Sequence, residues 1–149
     1  MRNLLSILRA RLLLTGLLLV IAFLAMPVTV RADEEPVCAI DETQYETLDA
    51  ALAAIGEGES ETIRLLKNIN YAGTMTITGK TVTFDLNGYE LWVSNVIGNG
   101  LEVNGGVVNV VDTAGTGGFV AIGSGNPGHG VVAANGGQAT VTDVIGSNF

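Results

Sequence analysis

The sequence predicts an all-β chain: a parallel β-solenoid of about three coils, covered at its N-terminal end by a short amphipathic helix. Three observations carry this. Period-2 alternation runs through "TGKTVTFDLNGYEL" (78–91), where Val82, Phe84 and Leu86 alternate with Thr81, Thr83 and Asp85 until Asn87-Gly88 stops the run. The same pattern returns twice, because "MTITGKTVTF" (75–84) lies over "LEVNGGVVNV" (101–110), and "NGGVVNVVD" (104–112) over "NGGQATVTD" (135–143). A single stretch of helical period precedes the first copy, and none follows it.

Residues 1–32 stand apart from that pattern. Arg2, Arg9 and Arg11 make a basic start, Leu12 to Met26 is almost unbroken apolar sequence, and Pro27 leads into the small-x-small ending Val30-Arg31-Ala32. This predicts a cleaved secretory signal peptide. An uncleaved anchor is the alternative, since Leu12–Val30 approaches the roughly 18–20 apolar residues that span a bilayer; Pro27 and the cleavage-like site favour removal. Cys38, in "EPVCAI", is misplaced for lipid attachment.

All fifteen acidic residues follow Ala32, but only Arg64, Lys67 and Lys80 of the seven basic ones do, so the mature chain carries three positive and fifteen negative charges, −12 net. Such a surface repels nucleic acid and acidic lipid, and a polyanionic glycan unless calcium mediates the contact. One cysteine excludes an internal disulfide, and Cys38 is expected as a small buried strand residue.

Residues 33–58 form an acidic start and the helix. Asp33–Pro36 is expected to be structureless and Val37–Ile40 is a short apolar piece. In "YETLDAALAAIGEGE", Leu48, Ala51, Leu52 and Ile55 fall at i, i+3, i+4 and i+7. Thr47 is the expected N-cap, Asp49 suits the positive end of the dipole, and Gly56 is the expected left-handed C′ residue.

Residues 59–149 hold the repeats. Ile77, Val103 and Ala134 form one apolar column, Val82, Val108 and Ala139 a second, and Phe84, Val110 and Val141 a third. Variation in length is expected in two loops, "YELWVSNVIGNG" and "TAGTGGFVAIGSGNPGHG". Read as hairpins, Thr78-Gly79-Lys80 and Asn104-Gly105-Gly106 would reverse the chain and build an antiparallel sandwich. Read as a solenoid, they are bends, and equivalent strands stack in parallel about 4.8 Å apart. The conserved residue class within each column and the helix placed to cover an open end favour the solenoid.

"YETLDAALAAI", "TIRLLKNI", "MTITGKTVTFDLNGYEL" and "VNGGVVNVVDTAGTGG" resemble the opening of right-handed parallel β-helix proteins of pectin-lyase-like fold on bacterial cell surfaces. The resemblance runs from Tyr45 to about Gly118. It implies the fold and leaves the activity open, because that family includes polysaccharide lyases, hydrolases and non-catalytic adhesins.

Family lyases use an Arg or Lys base and the hydrolases use clustered aspartates. Arg64, Lys67 and Lys80 all lie in the first coil or its approach, so later coils lack a basic group. Asp112 and Asp143 share a repeat column, where they would form a carboxylate pair or part of a calcium site; turn closure by each, as at Asn87, is the favoured alternative. His129, in "NPGHG", has no neighbouring Ser, Cys or His and is expected as a solvated loop residue. Trp92, beside Tyr89, is a carbohydrate-stacking candidate set against simple packing under its own loop. "GTGG" and "GSGNPGHG" lack the lysine and helix of a phosphate loop.

The expectation is therefore a secreted or cell-surface structural or adhesive module. No residue is assigned a catalytic, cofactor-binding or metal-ligating role. The expected partner is a cell-surface glycan or a host surface component, with no nucleic acid, and with membrane contact only through an uncleaved signal segment. The rival is the N-terminal part of a carbohydrate-active enzyme, lyase or glycoside hydrolase, whose catalytic coils lie beyond residue 149. The uncovered strand pattern at "ATVTDVIGSNF" makes a longer surface protein the expectation in either case.

Overall fold

The computed structural model describes residues 35–126, 128–141 and 144–146. The proposed signal peptide, Asp143 and the terminal Phe149 lie outside the described residues. Thirteen strands and one helix are present among the described residues.

The chain enters through β1 (Cys38–Ile40) and β2 (Thr43–Tyr45), an antiparallel pair turned at Asp41, whose φ is 49°. The helix α1 (Leu48–Ala54) follows, with the Thr47 hydroxyl accepting from the Ala50 N–H at 3.1 Å. Its apolar face, Leu48, Ala51, Leu52 and then Ile55, is buried in the core, as the periodicity predicts. Its C-terminal end departs from expectation. Gly56 is not left-handed; Ile55 leaves the helix in extended backbone, the Gly56 N–H is taken by Glu59 Oε2 at 2.6 Å, and the left-handed glycine is Gly58. Lys80 supplies the missing cap by donating to the carbonyls of Leu52 (2.7 Å) and Ile55 (2.9 Å).

The remaining strands run β3 (Ser60–Leu65), β4 (Ile69–Ala72), β5 (Met75–Thr78), β6 (Thr81–Asp85), β7 (Glu90–Asn95), β8 (Leu101–Asn104), β9 (Val107–Val111), β10 (Gly118–Gly123), β11 (Val131–Ala134), β12 (Gln138–Thr140) and β13 (Val144–Gly146). Every third one joins the same sheet. Sheet A has the order β12-β9-β6-β3-β1-β2, sheet B β13-β10-β7-β4 and sheet C β11-β8-β5. The pairings among β3 to β13 are all parallel, and those that β1 makes with β2 and with β3 are antiparallel. The glycine corners are therefore bends, since β5 and β6 belong to different sheets.

Parallel pairing sets like residues above like. In sheet A, Val82 lies against Val108 and Val108 against Ala139, with Phe84 against Val110. In sheet C, Met75 meets Leu101 and Ile77 meets Val103; in sheet B, Ile69, Leu91 and Phe119 form a column. Their inward side chains are the core, with Phe84, Phe119, Met75, Leu91, Leu101, Val82 and Val108 fully buried. Cys38 is buried too, and burial pushes its thiol up to about 11.

Two expectations need correction. Ala134 does not stand over Val103; Ala133 does, and Ala134 stands over Asn104. The third corner holds three residues, Asn135-Gly136-Gly137, where the first two hold Gly79-Lys80 and Gly105-Gly106, and the added residue is absorbed by left-handed backbone at both Asn135 (φ 52°) and Gly136 (φ 81°). The two expected loops also contain regular structure, for they carry β7 and β10, the middle strands of sheet B. Leu91 and Val93 point inward between outward Glu90 and Trp92, so the period was present. The offset between β7 and β10 is 28 residues, however, against 26 between β6 and β9, and alignment of the glycine corners passes over it.

Candidate functional site

The carboxylates at the end of sheet A come first. Asp85, at the end of β6, is only 7% exposed. Its Oδ1 accepts from the N–H groups of Asn87 and Thr113, each at 3.1 Å, and the Thr113 hydroxyl donates to both oxygens at 3.0–3.1 Å. Asp112, next along from β9, reciprocates: it accepts from Gly88 N–H at 2.8 Å and from Gly117 N–H at 2.6 Å. Each aspartate thus closes its own turn and holds the loop of the adjacent repeat. The hydrogen bond from Gly117, with further ones from Gly88, Gly115 and Ala114, lowers the Asp112 carboxyl below its ordinary value despite partial desolvation. Each of these oxygens accepts from a backbone N–H or from the Thr113 hydroxyl, which makes the two carboxylates turn-closing groups. The proposed Asp112–Asp143 pairing lies outside the described residues at its second member. Asp85 was missed because its alternation with Thr81 and Thr83 marked it as an outward strand residue. The available signal was its place two residues before the Asn87-Gly88 turn.

The two lysines are similarly committed. Lys80 holds the end of α1, and Lys67 donates to the Glu35 carbonyl at 2.8 Å. Arg64 sits on the outward side of β3, opposite Ala39 on one side and Asp85 on the other. His129 is exposed and serves through its backbone, its N–H meeting Asn99 Oδ1 at 3.0 Å and its carbonyl accepting from Gly100. Among the described residues, no group of three His, Cys, Asp or Glu side chains is arranged to hold a metal ion.

A cleft of about 280 Å³ lies between the N-terminal turn of α1 and β4, lined by Val37, Glu46, Leu48, Asp49 and Tyr71 among others. The Tyr71 hydroxyl crosses it to donate to Asp49 Oδ1 at 2.8 Å. Burial, and then this hydrogen bond and the Asp49 charge, push the phenol up to about 12, so it stays protonated at neutral pH and offers no base.

Trp92 projects from the middle of β7 on the outward face of sheet B and is 43% exposed. Asn70 of β4 stands beside it on one side and Val120 of β10 on the other, with Glu90 and Ser94 flanking it on its own strand. Tyr89 is also exposed, as are Val96 and Ile97 just after β7.

No family model, curated protein or solved structure matches this chain. No helix among the described residues is long and apolar enough to cross a membrane.

Proposed function

We propose that the chain is a secreted or cell-surface structural and adhesive module, built as a right-handed parallel β-helix and without catalytic residues of its own in these repeats. The observation that carries the reading is the three-sheet register, in which every third strand pairs in parallel and like residues stack. Right-handedness follows from the near-universal hand of parallel crossovers. Repeats of this kind present long, regular outer faces on a stiff core, which suits display and adhesion. The chemistry of the side chains supports a structural role: the two sheet-end aspartates are used in turns, and both lysines are bonded to main-chain carbonyls. The sequence of residues 1–32 supports export.

Expression of the full chain in a bacterial host, with cell fractionation and N-terminal sequencing, tests the reading. The expected product begins at Asp33 and is recovered outside the cytoplasm. A cytoplasmic chain retaining Met1 overturns export. Release of reducing ends or unsaturated products from polysaccharides by the purified chain overturns the non-catalytic reading and restores the enzyme.

A further inference from the structure

The chain contains four Asn-Gly pairs, Asn87-Gly88, Asn99-Gly100, Asn104-Gly105 and Asn135-Gly136. In such a pair the glycine nitrogen can approach the side-chain amide carbon of the asparagine, because the following residue has no Cβ to crowd it. A nitrogen that is donating its hydrogen to a partner must first give that partner up.

Stacking of the coils takes up the glycine N–H in the first three pairs. Gly88 donates to Asp112 Oδ1 at 2.8 Å, Gly100 to the His129 carbonyl at 2.9 Å and Gly105 to the Ala134 carbonyl at 3.0 Å. Two of the amides are tied as well, Asn87 Nδ2 to the Leu65 carbonyl at 3.1 Å and Asn99 Nδ2 to Glu102 Oε1 at 2.7 Å. Asn135-Gly136 differs. Among the described residues nothing accepts from the Gly136 N–H, both residues are exposed, and a methyl group built on Gly136 would meet nothing within 4 Å. Its one tie is the Asn135 amide, which donates to Asn104 Oδ1 at 2.7 Å on the exposed side of the corner. Backbone conformation does not separate this pair from Asn87-Gly88. The φ angles are 49° and 84° there and 52° and 81° here, and each turn is closed by a 2.8 Å bond, from Tyr89 N–H to the Leu86 carbonyl and from Gly137 N–H to the Ala134 carbonyl. The difference is the neighbouring coil.

We propose that Asn135 is a site of spontaneous covalent modification. The Gly136 nitrogen bonds to the Asn135 side-chain amide carbon, the bond from that carbon to Nδ2 breaks, and the nitrogen's proton leaves with Nδ2 as ammonia. Water then adds across one of the two carbon–nitrogen bonds of the cyclic imide, which gives an aspartyl residue or an isoaspartyl residue whose main chain is longer by one methylene; nothing is oxidised or reduced. Either product puts a negative charge into residues 113–142, a stretch without Asp, Glu, Lys or Arg. The isoaspartyl product also lengthens the corner between β11 and β12, where β12 is held by a register of only three residues against β9. The reaction is one-way and loosens β12. It depends on neither export nor adhesion.

The purified chain is kept at neutral pH, folded in one sample and unfolded in guanidinium chloride in another. Conversion at each pair is followed by peptide mapping with mass spectrometry and by labelling with an isoaspartate methyltransferase. All four pairs should convert at comparable rates when unfolded, since each has the same following residue. In the folded chain Asn135 should convert at least about tenfold faster than Asn87, Asn99 or Asn104, in line with the hydrogen bonds that have to open at those three. Asn135→Gln should remove the folded-state product, because closure would need a larger ring; the comparison of the four pairs in the unaltered chain carries the test if that variant does not fold. Hydrogen exchange should be faster at Gln138–Thr140 in the converted fraction than in fresh protein. Conversion led by another pair, or an Asn135 amide that outlasts the other three, overturns the assignment. Equal conversion of all four in the folded sample overturns it too, since the reaction would then pass through the unfolded chain. Unchanged protection of β12 after conversion overturns the effect on the corner.

Discussion

At the residue scale, position in a column decides what a side chain can be. Val108 is fully buried between Val82 and Ala139, so Val108→Asp places a carboxylate where no partner can reach it. The cost is about 3 kcal/mol or more. Loss of strand circular dichroism is the expected outcome, and melting like that of the wild type would contradict the stacked register. Asp112 gives a prediction in pH. Its carboxyl is lowered in the folded chain by the N–H groups it accepts, so the unfolded chain takes up this proton first as pH falls. Its contribution is therefore full above the unfolded value of about 4 and is lost as pH falls through the lower folded value. Asp112→Asn should lower the melting temperature at pH 7 and flatten its dependence below about pH 4. Thermal melts from pH 7 to pH 2 measure this; parallel curves for the two proteins would remove the assigned role.

The elements show how local and distant signals combine. α1 begins where its N-cap dictates, and Thr47→Ala should cost about 1 kcal/mol in urea unfolding. Its other end is held by a residue from the first glycine corner, so Lys80→Met should cost about 1 kcal/mol although it alters no residue of the helix. A neutral result at Lys80 would show that water caps those carbonyls equally well. The corner also explains why lysine occurs in the first copy and glycine in the second. A methyl group on Gly106 would lie 2.5 Å from the Lys80 carbonyl, so this position must be bare once another corner is packed against it.

For the whole molecule, the two ends of the stack differ. At one end β1 pairs with β3 and the apolar face of α1 enters the core. Deleting residues 33–58 uncovers the edge of β3 and the buried Ile63 and Leu65, and oligomers in sedimentation velocity are the expected consequence. A monomeric deletion variant would show that the stack needs no cover. Toward the other end burial thins: Val131 and Ala139 are half-buried, and Ala133, over Val103, is exposed. Amides of β11 and β12 should therefore exchange with solvent faster than those of β5, β6 and β8. Uniform protection would mean that something covers β11 and β12.

The sequence by itself determined the all-β class, the helix with its N-cap, the parallel sense of the copies, the column Val82–Val108–Ala139 and the pairs Phe84–Val110 and Ile77–Val103. Each of these rests on a local period or on residues close enough to a glycine corner for the corner alignment to hold their register. Most of what bears on a site was left to the tertiary structure: the third sheet with Trp92 on its outer face, the β1–β2 pair, the shift that puts Ala133 over Val103, and the grip of Lys80 on α1. The physical reason is the same in each case. A parallel stack is held by contacts between residues some twenty to thirty positions apart, and where turns differ in length those separations run from 21 between β3 and β6 to 31 between β9 and β12. Three-residue strands carry too little period to be seen alone, and the partner of a carboxylate or an ammonium group is chosen by whichever loop the stacking brings beside it.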